Sequence, residues 1–271
     1  MEIKGKTAII TGATGRLAGA IVLMMAEAGA NCVCIYHKNK TEAKKLKTAL
    51  QKLRTKNLFI QADLTVPGNI EKVFADIGRL DSTHSTSSGQ AGSPQVAKPR
   101  ILINAAAVFE KKLIKDISSE YISRTVDINF TAAMEMTQKF VKLVRKKIKQ
   151  KQNLSSTTIG EPAAKIINIA DIAAQRPPAG FSIYCASKAA LIAATKSLAK
   201  ELAPDFTVNA VSPGIINWQK DVTKKQKKKI LARIPAGRAG KPEEVAQAVR
   251  LLIENDYITG QIINVDGGRS I

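Results

Sequence analysis

Short apolar runs rich in Val and Ile alternate with longer amphipathic segments along the whole chain. The runs "TAIIT" (7–11), "NCVCIY" (31–36), "NLFIQADL" (57–64), "RILINAA" (100–106), "AKIINIA" (164–170), "FTVNAVSP" (206–213) and "QIINVDGG" (261–268) read as strands. Helices are expected over 16–29, near 41–55, over 66–79, over 119–150 as one or two long helices, and over 182–203. Strands of near-continuous apolar character separated by helices indicate a parallel sheet covered on both faces. The expected fold is α/β: a single Rossmann-type domain over 1–271, doubly wound, with about seven parallel strands and helices on both faces. Residues 81–99 break the pattern, being rich in Ser, Thr, Gly and Pro, and read as an exposed, mobile insertion before the fourth strand. His84 lies inside it, which argues against a catalytic role for that histidine.

Composition narrows the class without naming a function. An apolar fraction of 45% over 271 residues is enough for a proper core. Near the start of the chain the longest apolar stretch is "AIIT", too short for a signal peptide or a membrane span, so no membrane partner is expected. Cys32, Cys34 and Cys185 show no metal spacing and leave an odd count, so free thiols in a reducing cytoplasm are expected, with no metal. The net charge of +20 is concentrated in "KLVRKKIKQK" (142–151) and "KDVTKKQKKK" (220–229). Such a charge suits attraction to a polyanion or a merely solvated surface. No aromatic residues interleave with the lysines, which disfavours a nucleic-acid platform.

"TGATGRLAGA" (11–20) follows the first strand and opens the first helix. Glycines at this turn let backbone approach a pyrophosphate, and the helix start supplies amides and the positive dipole end. Gly12 and Gly15 shape the turn and Arg16 adds a cation. After the second strand, "YHKNK" (36–40) holds no carboxylate. His37, Lys38, Asn39 and Lys40 can all donate to a 2′-phosphate, so NADPH is the expected cofactor. Asp63, after the third strand, either holds the adenine amino group or caps the next helix.

Tyr184 and Lys188 stand one helical turn apart on a shared face. A lysine ammonium beside a phenol is expected to lower the tyrosine pKa, so that Tyr184 passes a proton while hydride is transferred. Thirteen residues before Tyr184 stands Asp171.

Together "TGATGRLAG", "INAAA", "DINF", "YCASK" and "VNAVSPG" resemble the short-chain dehydrogenase/reductase family across nearly the whole chain. The resemblance implies a Rossmann-type fold, a homotetramer, and a catalytic set of Asn129, Tyr184 and Lys188, with Asp171 where the family has Ser. It implies that Asn129 holds a water linked to Lys188, and that Leu17, Asn104, Ala105, Pro213 and Gly214 lie against the cofactor. Lys188 would also hold the nicotinamide ribose.

Asp171, Arg16 in place of the turn's middle Gly, and "YH" plus a basic residue resemble the pteridine reductases within that family. This implies that Phe109 stacks on a pterin ring, and that residues 213–240 form a substrate flap with Trp218 lining it. Ala18 and Ala107 depart from the pattern, standing for the turn's last Gly and for a Ser. The leading expectation is NADPH-dependent reduction of a pteridine C=N bond, in a dihydropterin or folate. There Asp171, its pKa raised by burial and by the phenol, relays the proton through Tyr184. The alternative is a carbonyl reductase such as a 3-oxoacyl-thioester reductase, with Asp171 merely capping the next loop. A non-catalytic nucleic-acid-binding scaffold is the third reading.

Overall fold

The computed structural model describes residues 1–82, 99–152, 162–218 and 222–271. Seven strands form one parallel sheet: β1 (Thr7–Thr11), β2 (Asn31–Tyr36), β3 (Asn57–Gln61), β4 (Pro99–Asn104), β5 (Ala164–Ile169), β6 (Phe206–Pro213) and β7 (Ile262–Val265). Their order in the sheet is β3-β2-β1-β4-β5-β6-β7. The chain winds outward from β1 to β3, then crosses back to lay β4 on the other side of β1. Beyond the carboxyl ends of β1 and β4, the diverging connections open the crevice where such sheets take ligands.

Eight α-helices are described: α1 (Arg16–Glu27), α2 (Lys40–Gln51), α3 (Asn69–Ser82), α4 (Ser119–Val126), α5 (Ala132–Gln152), α6 (Ser182–Glu201), α7 (Lys224–Leu231) and α8 (Pro242–Glu254). One sheet face is covered by a core that includes Ile21 and Met25 of α1 with Val245 and Val249 of α8. The other is covered by a core including Ile70 and Val73 of α3 with Met136 and Phe140 of α5. Every residue of β1 and β5 is buried, which is why those strands read as predominantly apolar runs. Each large side chain so buried contributes about 1.5–3 kcal/mol.

Several expected boundaries move, each for a local reason. The third strand stops at Gln61 because Asp63 starts a turn, its carboxylate accepting from the amide (3.0 Å) and hydroxyl (2.7 Å) of Thr65. The expected helix over 119–150 is interrupted by a π-helical turn at Asp127–Thr131. α8 escaped the sequence reading, although Pro242 at its start, Glu243 and Glu244 in its first turn and buried Val245, Val249 and Leu252 are all helix signals. Of the expected insertion, 81–82 belong to α3 and Pro99 to β4, whereas 83–98, His84 included, lie outside the described residues. The basic run 142–151 falls within α5. All three cysteines are buried and unpaired. Among the described residues no helix is long and apolar enough to cross a membrane.

Candidate active site

At the switch point, Thr11 ties β1 to the segment after β4: its hydroxyl accepts from the amides of Ala105 and Ala106, both at 3.0 Å. Gly12 sits directly against that segment at φ +66°, and a Cβ there would stand 2.8 Å from the Ala106 Cα. Only glycine suits both the conformation and the close approach. Gly15 then caps α1 without a side-chain acceptor, so the first amides of the helix remain free for an anion.

A cleft of about 740 Å³ opens here. Gly12, Gly15, Arg16, Leu17, Ala105, Pro213 and Gly214 line it together with Phe109, Asp171, Tyr184 and Lys188. Of the expected turn and catalytic residues, Gly12, Gly15, Arg16, Asp171, Tyr184 and Lys188 converge on one cavity. Ala18 and Ala107 line it as well, so neither departure from the family pattern closes the space.

Tyr184 and Asp171 are in direct contact. The Tyr184 hydroxyl donates to Asp171 Oδ2 at 2.7 Å, while Asp171 Oδ1 accepts from the Ala173 amide at 2.8 Å. One carboxyl group thus caps the short 3-10 turn Ile172–Ala174 and faces the phenol at once. Burial raises the Asp171 pKa, opposed by the Ala173 amide, the Tyr184 hydroxyl and the charges of Lys188 and Arg269. The expectation that the phenol also raises it is corrected: a donated hydrogen bond stabilises the carboxylate.

The expected lowering of the Tyr184 pKa is also reversed. Burial, then the neighbouring Asp171 charge, push it well above the ordinary phenol value. Lys188 is buried, its Nζ donating to the Ile169 carbonyl oxygen at 2.8 Å. Burial lowers its pKa to about 8 against the pull of Asp171.

Asn129 occupies the π-helical turn, and its side chain is fully engaged. Its Oδ1 accepts from the Val108 amide (2.8 Å), and its Nδ2 donates to the Val108 carbonyl oxygen (3.1 Å) and to Ser187 Oγ (3.1 Å). The side chain fastens the segment after β4 to α6.

Asn104 is likewise buried away from the cleft. Its Nδ2 donates to Asn168 Oδ1 at 2.9 Å and to Thr137 Oγ1 at 3.2 Å, joining β4 to β5 and α5. The expected cofactor contact is replaced by a structural pin.

The residues expected at the adenosine end lie outside the cleft lining. His37 Nε2 stands 3.3 Å from Asp63 Oδ2. Asn39 caps α2, accepting from the Glu42 amide at 3.2 Å. Lys38 and Lys40 are exposed. Of the two readings of Asp63, the capping one matches the geometry, given its bonds to Thr65. Burial would raise its pKa, but the Thr65 hydroxyl and amide, His37 and Lys38 hold it lower overall.

Phe109 is 47% exposed, stacked on Phe181 at 4.6 Å and 11° and edge-on to Tyr184 at 4.7 Å and 67°. One of its ring faces is therefore occupied by Phe181, which no spacing rule marks in the sequence. Trp218 is not on the cleft lining; its ring lies 5.4 Å from Lys227 Nζ. Ile215, Ile216 and Asn217 of the same segment line the cleft in its place. Residues 219–221 of the expected flap lie outside the described residues. The sequence reading missed Arg176, Arg233 and Arg269, which also reach the lining.

Comparison with known proteins agrees with this site. A family profile described as enoyl-(acyl carrier protein) reductase matches residues 12–270. The chain is 31% identical to the 3-oxoacyl-[acyl-carrier-protein] reductase FabG of Rickettsia bellii, over 99% of this chain and 98% of that protein. It is 30% identical to the protein of the same name from Thermotoga maritima, over 99% of each. The NAD-dependent glycerol dehydrogenase of Listeria innocua is 31% identical, over 100% of this chain and 96% of that one. A short-chain dehydrogenase/reductase structure from Serratia marcescens superimposes with a TM-score of 0.81 at 24% identity, covering 100% of both chains. With the switch-point cleft and the Tyr184/Lys188 pair on one helix face, the chain belongs to the short-chain dehydrogenase/reductase family of oxidoreductases.

Proposed function

We propose that this chain is an NADPH-dependent reductase of the 3-oxo group of an acyl thioester. The observation that carries the reading is full-length similarity, at 31% and 30% identity, to two proteins named 3-oxoacyl-[acyl-carrier-protein] reductase. The expectation of pteridine reduction thereby yields first place to its alternative. A nicotinamide cofactor, when bound, supplies the hydride. The chain suits such a cofactor: the Gly12 approach, the uncapped start of α1 and the Lys188 end lie along one cleft. Lys38 and Lys40, with no carboxylate between 36 and 40, favour the 2′-phosphate form.

The protein's own part is to place a proton. Tyr184 Oη is the donor nearest the reacting end, and reduction of a carbonyl needs one proton at the oxygen. In the structure that proton points at Asp171, so it turns toward substrate when the carbonyl arrives. Asp171, accepting from the Tyr184 hydroxyl at 2.7 Å, orients that group, a role a serine hydroxyl can also fill. Lys188, cationic below about 8, stabilises charge developing on the phenol.

A second reading, reduction of a pteridine C=N bond, is favoured by the Tyr184–Asp171 hydrogen bond itself. Delivering a proton to a ring nitrogen suits a carboxyl relay, and half-exposed Phe109 offers a stacking surface. Asp171→Ser separates the two. Under the thioester reading the variant keeps reducing an acetoacetyl thioester, because a hydroxyl also positions the carbonyl oxygen. Loss of all turnover in a variant that still binds NADPH would count against the thioester reading and for the carboxyl relay.

A further inference from the structure

The charged groups of the cleft lining are predominantly cationic. Arg176, Arg233 and Arg269 all reach it, and Asp171 is the one acidic side chain among its described residues. These arginines come from three places: the loop after β5, the end of α7, and the segment after β7. Arg176 and Arg233 are exposed, and neither guanidinium has an acceptor among the described residues. Arg269 makes one long bond, Nη1 to the Ile230 carbonyl oxygen at 3.3 Å, and its charge is felt at Asp171. A surface that only needs solubility has no reason to aim three cations into one cavity, where they repel each other.

The wall is also built to stay in place. Asp266 accepts from the amides of Gly268 (3.0 Å) and Ser270 (2.7 Å), folding the segment after β7 back over the cleft. Gly268, at φ +85°, lies so close to Pro235 that a Cβ would stand 2.9 Å from it. The Ala236 amide donates to the Gly267 carbonyl oxygen at 3.0 Å. The turns bearing Arg233 and Arg269 are therefore packed on each other, so that the two residues reach the lining of one cleft. Prepaid order of this kind is what lets exposed cations select a ligand.

We propose that Arg176, Arg233 and Arg269 form an anion-selecting wall, so that the accepted substrate carries a phosphate or carboxylate group at the end away from its reacting bond. This deepens the reductase reading of the cleft and rests on it. A phosphate on the pantetheine arm of a thioester and the carboxylates of a folate share the required chemistry. Arginine recognises both by charge-assisted, two-pronged hydrogen bonds.

The test pairs ligands that differ in that charge: acetoacetyl-4′-phosphopantetheine against acetoacetyl-pantetheine, and dihydrofolate against dihydrobiopterin. Each is assayed on wild type and on Arg233→Gln/Arg269→Gln. The wall predicts that KM in the reduced pair favours the charged member by roughly tenfold, and that the double variant abolishes most of that preference. Damage to the fold would weaken both members alike and leave the ratio standing, which would overturn the proposal. So would a wild type that treats the two members equally. Preference for dihydrofolate with no thioester turnover would sink the thioester reading while the wall stands. If neither pair is reduced, calorimetry with NADP+ present decides: 4′-phosphopantetheine must bind more tightly than pantetheine, and equal or absent binding overturns the wall.

Discussion

The Tyr184 hydroxyl donates a hydrogen bond to Asp171 Oδ2 at 2.7 Å, and that contact inverts the usual reasoning about a tyrosine near a lysine. Burial, then the adjacent carboxylate, push the phenol well above its ordinary value. A phenol held in its protonated form is the state a general acid needs. Tyr184→Phe should lower kcat by about 10²–10⁴-fold, the usual range for loss of a general acid. Steady-state kinetics with saturating NADPH checks this, and an unchanged kcat would remove Tyr184 from the chemistry.

Asp171 should make a pH-dependent contribution to stability. Its pKa is higher folded than unfolded, so the folded state holds its proton more tightly. The favourable contribution is present in full below the unfolded carboxyl pKa and is lost as pH rises through the folded one. Asp171→Asn, which keeps an oxygen to accept from Ala173, should accordingly stabilise the protein by about 1 kcal/mol at neutral pH, a known cost of functional sites. That gain should vanish in acid. Thermal melts of both proteins across the acid range measure it, and a variant less stable than wild type at neutral pH would contradict the sign.

Lys188 sets the alkaline side. Its pKa is lowered from 10.5 to about 8 by burial, so the unfolded chain binds more protons than the folded one between those values. Stability should therefore gain from this group as pH rises across that window. Activity should move the opposite way, declining above about 8 as the ammonium is lost. A pH profile of kcat in wild type and Lys188→Met tests the assignment, because the variant should lose both most of its activity and the alkaline limb.

The dinucleotide turn offers a steric prediction. A methyl group at Gly12 would press on the Ala106 backbone at 2.8 Å in a left-handed conformation. Gly12→Ala should destabilise by about 1–3 kcal/mol and weaken NADPH binding at least as strongly. A chemical-denaturation curve beside an NADPH fluorescence titration would show both, and normal affinity in a folded variant would move the cofactor elsewhere.

Lys38 tests the choice of cofactor. Reversing its charge with Lys38→Glu should raise KM for NADPH by roughly tenfold and leave NADH use nearly unchanged. Equal effects on the two cofactors would mean that Lys38 does not read the 2′-phosphate.

What could be read from the chain, and what could not, follows from the range of each signal. Strands such as β2 were legible because burial on both faces leaves a nearly continuous apolar run, "CVCI". Gly12, Tyr184 and Lys188 were legible because turn chemistry and helical spacing are local. The partners of Asn104 and Asn129, Asn168 and Ser187, had no local signal because they are brought up only by the fold. Trp218 failed for the same reason, its place on the flap being a matter of tertiary packing. Phe181 and the three arginines had no local signal, since they meet the cleft only after β5, α7 and the segment beyond β7 converge. The direction of the Tyr184 shift was hidden too, because it depends on how deeply the pair is buried.

The most direct test is NADPH oxidation by the purified protein, with an acetoacetyl thioester, a dihydropterin and dihydrofolate supplied in parallel. The account predicts turnover with the thioester, abolished by Tyr184→Phe. Turnover confined to the pterin or the folate would contradict it and give the Tyr184–Asp171 pair to C=N reduction.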